Sequence, residues 1–241
     1  HPDTVVLDRT IKRRWAMVTH IAFNAVGILL AVYVAYKAGN IRLALIHVIT
    51  AGLLWYYSTT FKKQLLIGNI IVSFLSALVP LTVLLFEMPK IVEIYTEILP
   101  DATLDFRLMY KFILAFSLFA FLSSLIREII KDMEDVEGDK EYGCKTIPIV
   151  LGIKKSKFIV STLILIFMTG IGYVMYHQYT SRDMLSFYYF LALVELPLAF
   201  VFLKTIYATN KKDFHTSGTV IKLTMLTGIC FLFLLKYLLS K

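Results

Sequence analysis

Between Arg127 and Gly152 the chain reads REIIKDMEDVEGDKEYGCKTIPIVLG, and within it Glu128, Asp132, Asp135 and Asp139 follow at intervals of four, three and four. On a helix that spacing puts all four carboxylates on one face. Like charges so placed repel, by roughly 0.2–0.5 kcal/mol per pair, so a cation is expected beside them. Mg²⁺ suits such a set: it takes one or two protein carboxylates, keeps several waters and completes its shell with phosphate oxygens. The alternative is a solvated helix end in which Lys131 and Lys140 balance the acids. Against it stand Gly138 and Gly143, expected to break the helix beside the acids, and the KTIP turn that follows.

A metal-held diphosphate also needs cations for the oxygens that the metal leaves. YYSTTFKKQLLIGN places Lys62 and Lys63 in a turn between two apolar runs, and Arg13, Arg14, Lys140 and Lys145 fall on the same side. Lysines in such a turn also serve as headgroup anchors, and that reading stays open. Asn69, just inside the next apolar run, is polar where polarity is costly, so it either bonds a neighbouring helix or lines a cavity. Glu195, beside Pro197 in a later run, has the same ambiguity and receives no role.

The elements that carry these residues are set by hydropathy. The 241 residues are 58% hydrophobic with a mean hydropathy of +0.73, far above a soluble domain. Runs long enough to cross a bilayer recur at Trp15–Tyr36, Leu43–Tyr57, Leu65–Phe86, Leu108–Ile130, Phe158–Tyr176, Met184–Leu203 and Val220–Leu239. The expected fold class is therefore all-α, a polytopic membrane helical bundle of about seven spans forming a single domain over residues 1–241. Glu87–Arg107 is expected to be an external connector or a short interfacial helix.

The net charge of +8 comes largely from alternate loops, at Arg9–Arg14, Lys62–Lys63, Lys131–Lys157 and Lys204–Lys212. The positive-inside rule assigns those loops, with the acidic motif, to the cytoplasmic face of a plasma or inner membrane. That distribution argues against a nucleic-acid partner. Cys144 and Cys230 have no metal or redox spacing and are expected to be thiols.

The long acidic stretch closely resembles the second Asp-rich motif of the UbiA-type intramembrane prenyltransferases, and YSTTFKKQLLIGN resembles their Tyr-x-x-x-x-Lys loop. The resemblance implies Mg²⁺-dependent transfer of an isoprenyl group from its diphosphate to a lipophilic acceptor within the membrane. It carries metal binding and catalysis onto Asp132, Asp135 and Asp139, and diphosphate contact onto Lys62, with Arg127, Lys140, Lys145 and Asn69 as further candidates and Glu128 in support. Within the family, REIIKDMEDVEGDK is most similar to the archaeal-type digeranylgeranylglyceryl phosphate synthases, which implies geranylgeranyl diphosphate as donor, geranylgeranylglyceryl phosphate as acceptor and an ether lipid as product. The homogentisate-type aromatic prenyltransferases are the rival subgroup.

The family fold has nine spans, with a first Asp-rich motif, Asn-x-x-x-Asp-x-x-x-Asp, at the end of the second. HPDTVVLDR resembles the segment that follows that motif, so the seven spans match the third to ninth. The chain as it stands is then expected to lack the first two helices and the first motif, and to be inactive by itself. Asp3 and Asp8 do not have that motif's spacing, and Thr4 stands where the family often has Arg. From another functional class, a cation transporter would need acids near span midplanes, whereas the cluster lies at a span end.

Overall fold

The structure, a computed structural model, describes residues 12–99 and 105–240; of Arg13 and Lys62 it describes the backbone alone. The HPDTVVLDR segment lies outside the described residues. In chain order the helices are α1 (Arg13–Lys37), α2 (Ala44–Thr59), α3 (Ile67–Ile98), α4 (Arg107–Glu134), α5 (Val136–Glu141), α6 (Ile147–Leu151), α7 (Ile153–Thr180), α8 (Met184–Phe190), α9 (Leu196–Tyr207) and α10 (Lys211–Leu239). No strand occurs among the described residues. A wide π turn, Leu191–Glu195, joins α8 to α9.

Seven of these segments are long and apolar enough to cross a membrane, including the short one, which runs over Ile41–Thr59. The expected all-α architecture and span count are therefore found. Boundaries differ: α10 begins at Lys211, ahead of the apolar run from Val220, and α3 continues through Glu87, Glu93 and Glu97 to Ile98, where an external connector or a short interfacial helix was expected. Pro80 and Pro89 both lie inside it, each removing one backbone donor without ending the helix. At 32 residues and 1.5 Å per residue, α3 is about 48 Å long, more than the roughly 30 Å hydrocarbon core, so its acidic end extends beyond the apolar layer.

The described residues group into two compact units. One holds the chain through Phe61 with Ala77–Ser117; the other holds Lys62–Ser76 with Leu118–Lys241 and contains the acidic motif. In the first, α1 and α2 pack as a hairpin through Gly39, whose φ of 76° is a left-handed conformation suited to glycine. His47 meets the edge of Phe86 there, with ring centroids 5.8 Å apart.

In the second unit the fully buried apolar side chains are aliphatic, Ile126, Ile129 and Ile130 of α4, Val160 and Ile164 of α7, Leu198 and Val201 of α9, and Ile221 of α10, with Phe167, Phe190, Phe214 and Phe231 buried beside them. Lipid supplies little hydrophobic drive between helices, so close contact has to come from small residues and satisfied polar groups. Buried Ser73, Ser156 and Ser217 each donate to a carbonyl one turn back, at 2.6, 2.9 and 3.1 Å. Ser76 and Ser124 bond across helices at 3.0 Å. Gly228 permits the tightest approach: a Cβ built there would lie 2.3 Å from Phe119 Cζ.

Candidate metal and phosphate site

The helical run of α4 carries the acids only as far as Glu134. Asp135 takes φ −102° and ψ 11°, out of helical geometry, although its N–H still reaches Lys131 O at 3.0 Å and its carbonyl accepts from Asp139 N at 2.9 Å. The chain bends there and resumes as α5. Gly138, expected to break the helix, lies inside α5 instead, since a single glycine costs only about 1 kcal/mol in a helix. Gly143 does end it: at φ 68° it lets Cys144 N bond Asp139 O at 2.9 Å and Gly143 N bond Lys140 O at 3.1 Å, the paired Schellman closure that needs a left-handed residue.

Because the axis bends at Asp135, the four acids do not share one regular face, and their partners differ. Asp132, half-buried on the last turn of α4, accepts a hydrogen bond from Asn69 Nδ2 at 2.8 Å. Glu128 is buried and paired with its neighbour Arg127. Glu134 meets His215 Nδ1 at 2.9 Å, and Asp135 meets Lys211 Nζ at 3.5 Å. Asn69 thus bonds a neighbouring helix, one of the two outcomes its position allowed.

The lysine loop forms in the same unit. After α2, Phe61–Lys63 makes one 3₁₀ turn, and Leu66 adopts φ 60° before α3 begins. A left-handed non-glycine residue costs about 1–2 kcal/mol, so the turn is held by its surroundings. Part of that hold is a backbone bond from Lys145 N to Lys63 O at 2.9 Å, which stitches the KTIP segment to the lysine turn. Lys63, Lys140 and Lys145 have exposed side chains. Lys62 lies in the turn by its backbone, and its side chain is outside the described part.

Among the described residues no three His, Cys, Asp or Glu side chains close on one point. That does not disqualify Mg²⁺, which needs one or two carboxylates and takes its other ligands from water and phosphate. Asn69 occupies Oδ2 of Asp132 alone, which leaves Oδ1 for a cation, and Asp139 stands beyond the bend, on α5. The residues present therefore fit a phosphate-completed ion rather than a closed protein cage.

Residues 1–237 match the UbiA prenyltransferase family. The chain belongs to that family. As a UbiA-family protein with seven apolar helices it is an integral membrane protein. Its relatives include digeranylgeranylglyceryl phosphate synthases of Methanothermobacter thermautotrophicus, 33% identical over 68% of this chain and 50% of that protein, and of Thermococcus sibiricus, 35% identical over 64% of this chain and 48% of that protein. The Methanosphaera stadtmanae synthase is 27% identical over 93% of this chain and 72% of that protein. The chain spans about half the length of the first two. A solved structure of digeranylgeranylglyceryl phosphate synthase shares the fold, with a TM-score of 0.53 at 23% identity over 92% of this chain and 71% of that one.

Several residues at this UbiA-family site escaped the sequence reading. His215, Gly218 and Lys222 of α10 line a groove with Arg127, Lys131 and Glu134 of α4 and with Asp135 just after it, and Lys211 reaches Asp135. The signal was available: in KKDFHTSGTVIK, Lys211, His215, Gly218 and Lys222 recur at intervals of four, three and four.

Proposed function

We propose that this UbiA-family chain carries the second Asp-rich half of a prenyl-transfer site, acting on an allylic isoprenyl diphosphate and a lipophilic acceptor. The supporting observation is a pair of long-range bonds: Asn69 of α3 holds Asp132 of α4, and Lys145 is bonded through its backbone to Lys63. Carboxylates for a metal and lysines for a diphosphate then stand on one compact unit. The donor is taken to be geranylgeranyl diphosphate and the acceptor geranylgeranylglyceryl phosphate, because the relatives above are named as synthases of digeranylgeranylglyceryl phosphate.

In this reading Asp132, Asp135 and Asp139 would hold Mg²⁺ between them, one or two directly and the rest through its waters, and the ion when bound would supply positive charge against the leaving diphosphate. Asn69 orients Asp132 by its amide, keeping one carboxylate oxygen directed to the ion. Lys62, Lys63, Lys140 and Lys145 receive the remaining phosphate oxygens as point charges. The allylic C1–O bond breaks with its electron pair on the diphosphate, and the acceptor hydroxyl oxygen bonds C1 and releases its proton. Surrounding apolar helices exclude water, which would otherwise capture the allylic cation. The basic loops face the cytoplasm by the positive-inside rule.

The test uses membranes carrying the full-length protein, geranylgeranyl diphosphate, Mg²⁺ and, in separate reactions, geranylgeranylglyceryl phosphate or homogentisate, with products read by mass spectrometry. A Mg²⁺-dependent diether phosphate is the expected product. A prenylated aromatic would replace the acceptor, and no product with either would remove the reading.

A further inference from the structure

Apart from Asp135, the groove between α4 and α10 is lined by residues that the donor chemistry above does not use. It has a volume of about 250 Å³, and Gly218 forms part of its wall; a Cβ there would meet only Ile130 Cγ2, at 3.9 Å. Most of its ionisable groups already have partners: Arg127 pairs with Glu128, Asp135 with Lys211, and Glu134 is hydrogen-bonded with His215. Lys131 and Lys222 line it with no ion pair among the described residues. Two cations are thus left facing one small space.

Their positions are informative. Lys222 is eleven residues along α10 from Lys211, about 16 Å down the helix, within a span where an ionisable side chain marks a functional site. The same helical stripe continues as Leu226, Ile229 and Phe233, all exposed. One face of α10 therefore runs from charged to apolar, which matches an amphiphile with an anionic head and a hydrocarbon tail. Glu134 and Asp135 close the other end of the groove, beside the acidic motif.

We propose that this groove binds the phosphomonoester head of the acceptor lipid, with Lys131 and Lys222 as its phosphate contacts and the α10 stripe as the start of its tail path. The proposal rests on the glyceryl phosphate reading of the acceptor. A phosphomonoester, with close to two negative charges near neutral pH, matches two unpaired lysines, whereas a bulk phosphodiester lipid carries one. Donor and acceptor phosphates would then occupy different sides of the motif, the first toward the Asn69 and Lys63 loop and the second toward α10.

The test takes the full-length protein in neutral detergent, with Lys222→Gln and Gly218→Leu. Thermal melting is followed with geranylgeranylglyceryl phosphate, its phosphate-free alcohol and phosphatidylglycerol, and KM is measured for both substrates. The expected result is a melting shift from the phosphomonoester alone, and acceptor affinity weakened about tenfold or more in both variants while donor KM stays within about twofold. Should Gly218→Leu fail to fold, Lys222→Gln decides. Unchanged acceptor affinity in Lys222→Gln overturns the groove, as does equal protection by phosphatidylglycerol. Lys222-dependent binding of the phosphomonoester without its prenylation keeps the groove and overturns the acceptor reading instead.

Discussion

Asn69 at the start of α3 donates its amide N–H to Asp132 on the last turn of α4, 2.8 Å away and 63 residues on in the sequence. A hydrogen bond to a charged group contributes about 1.5–3 kcal/mol, and here it also fixes the carboxylate's direction. Asn69→Ala is expected to lower prenyl transfer about 10–100-fold and to raise the Mg²⁺ concentration needed for half-maximal rate. The Asn69→Ala/Asp132→Asn pair should be no worse than Asp132→Asn alone, since both act through one carboxylate. Additive losses in a Mg²⁺ titration of the four proteins would separate the two residues.

Asp135→Asn keeps size and removes charge. The Lys211 pair it weakens is open to solvent, with side-chain exposures of 59% and 43%, and such pairs contribute at most about 1 kcal/mol. Transfer activity should fall more than about 100-fold while the melting temperature in detergent changes little. Activity near wild type would remove Asp135 from the metal set.

Gly228→Ala tests the packing of α10 on α4. The added methyl would sit 2.3 Å from the Phe119 ring, which is itself backed by Phe167 at a centroid distance of 5.2 Å. Overpacking of this kind costs about 1–3 kcal/mol. A lower melting temperature is expected, with partial recovery in Gly228→Ala/Phe119→Leu, where the smaller side chain makes room. No recovery would mean that the backbone, not the ring, resists.

Asn210 and Asp213 cap α10 reciprocally: Asn210 Oδ1 accepts from Asp213 N at 3.1 Å, and Asp213 Oδ2 accepts from Asn210 N at 3.3 Å. Asn210→Ala should cost about 0.5–2 kcal/mol of local stability. Amide exchange at 211–214 is expected to speed up while 221–231 stays protected, and Asn210→Ser should restore the slow rates. Uniform acceleration along α10 would instead indicate a global effect.

Legibility differed between spans and site. Seven spans could be read because the bilayer demands about 20 apolar residues per crossing, and even the short Leu43–Tyr57 run is a helix of that kind. The far end of α3 was missed because its acids interrupt the apolar run, yet a proline inside a helix removes one backbone donor without ending it, and the helix continues to Ile98. For the acids, periodicity gave the residue types and missed the bend at Asp135, which depends on local backbone geometry that spacing does not contain.

Sequence alone determined the membrane class, the acid motif and the lysine turn, since hydropathy and charge are properties of residues in order. Tertiary structure decided the partners: Asn69 for Asp132, Lys63 for Lys145, Lys211 for Asp135 and His215 for Glu134. Those pairs join helices remote in the chain, so only their packing brings the groups within hydrogen-bond reach. Lys131 and Lys222, which have no ion pair among the described residues, emerged the same way, because a charge is left over only once the others have found their counterparts.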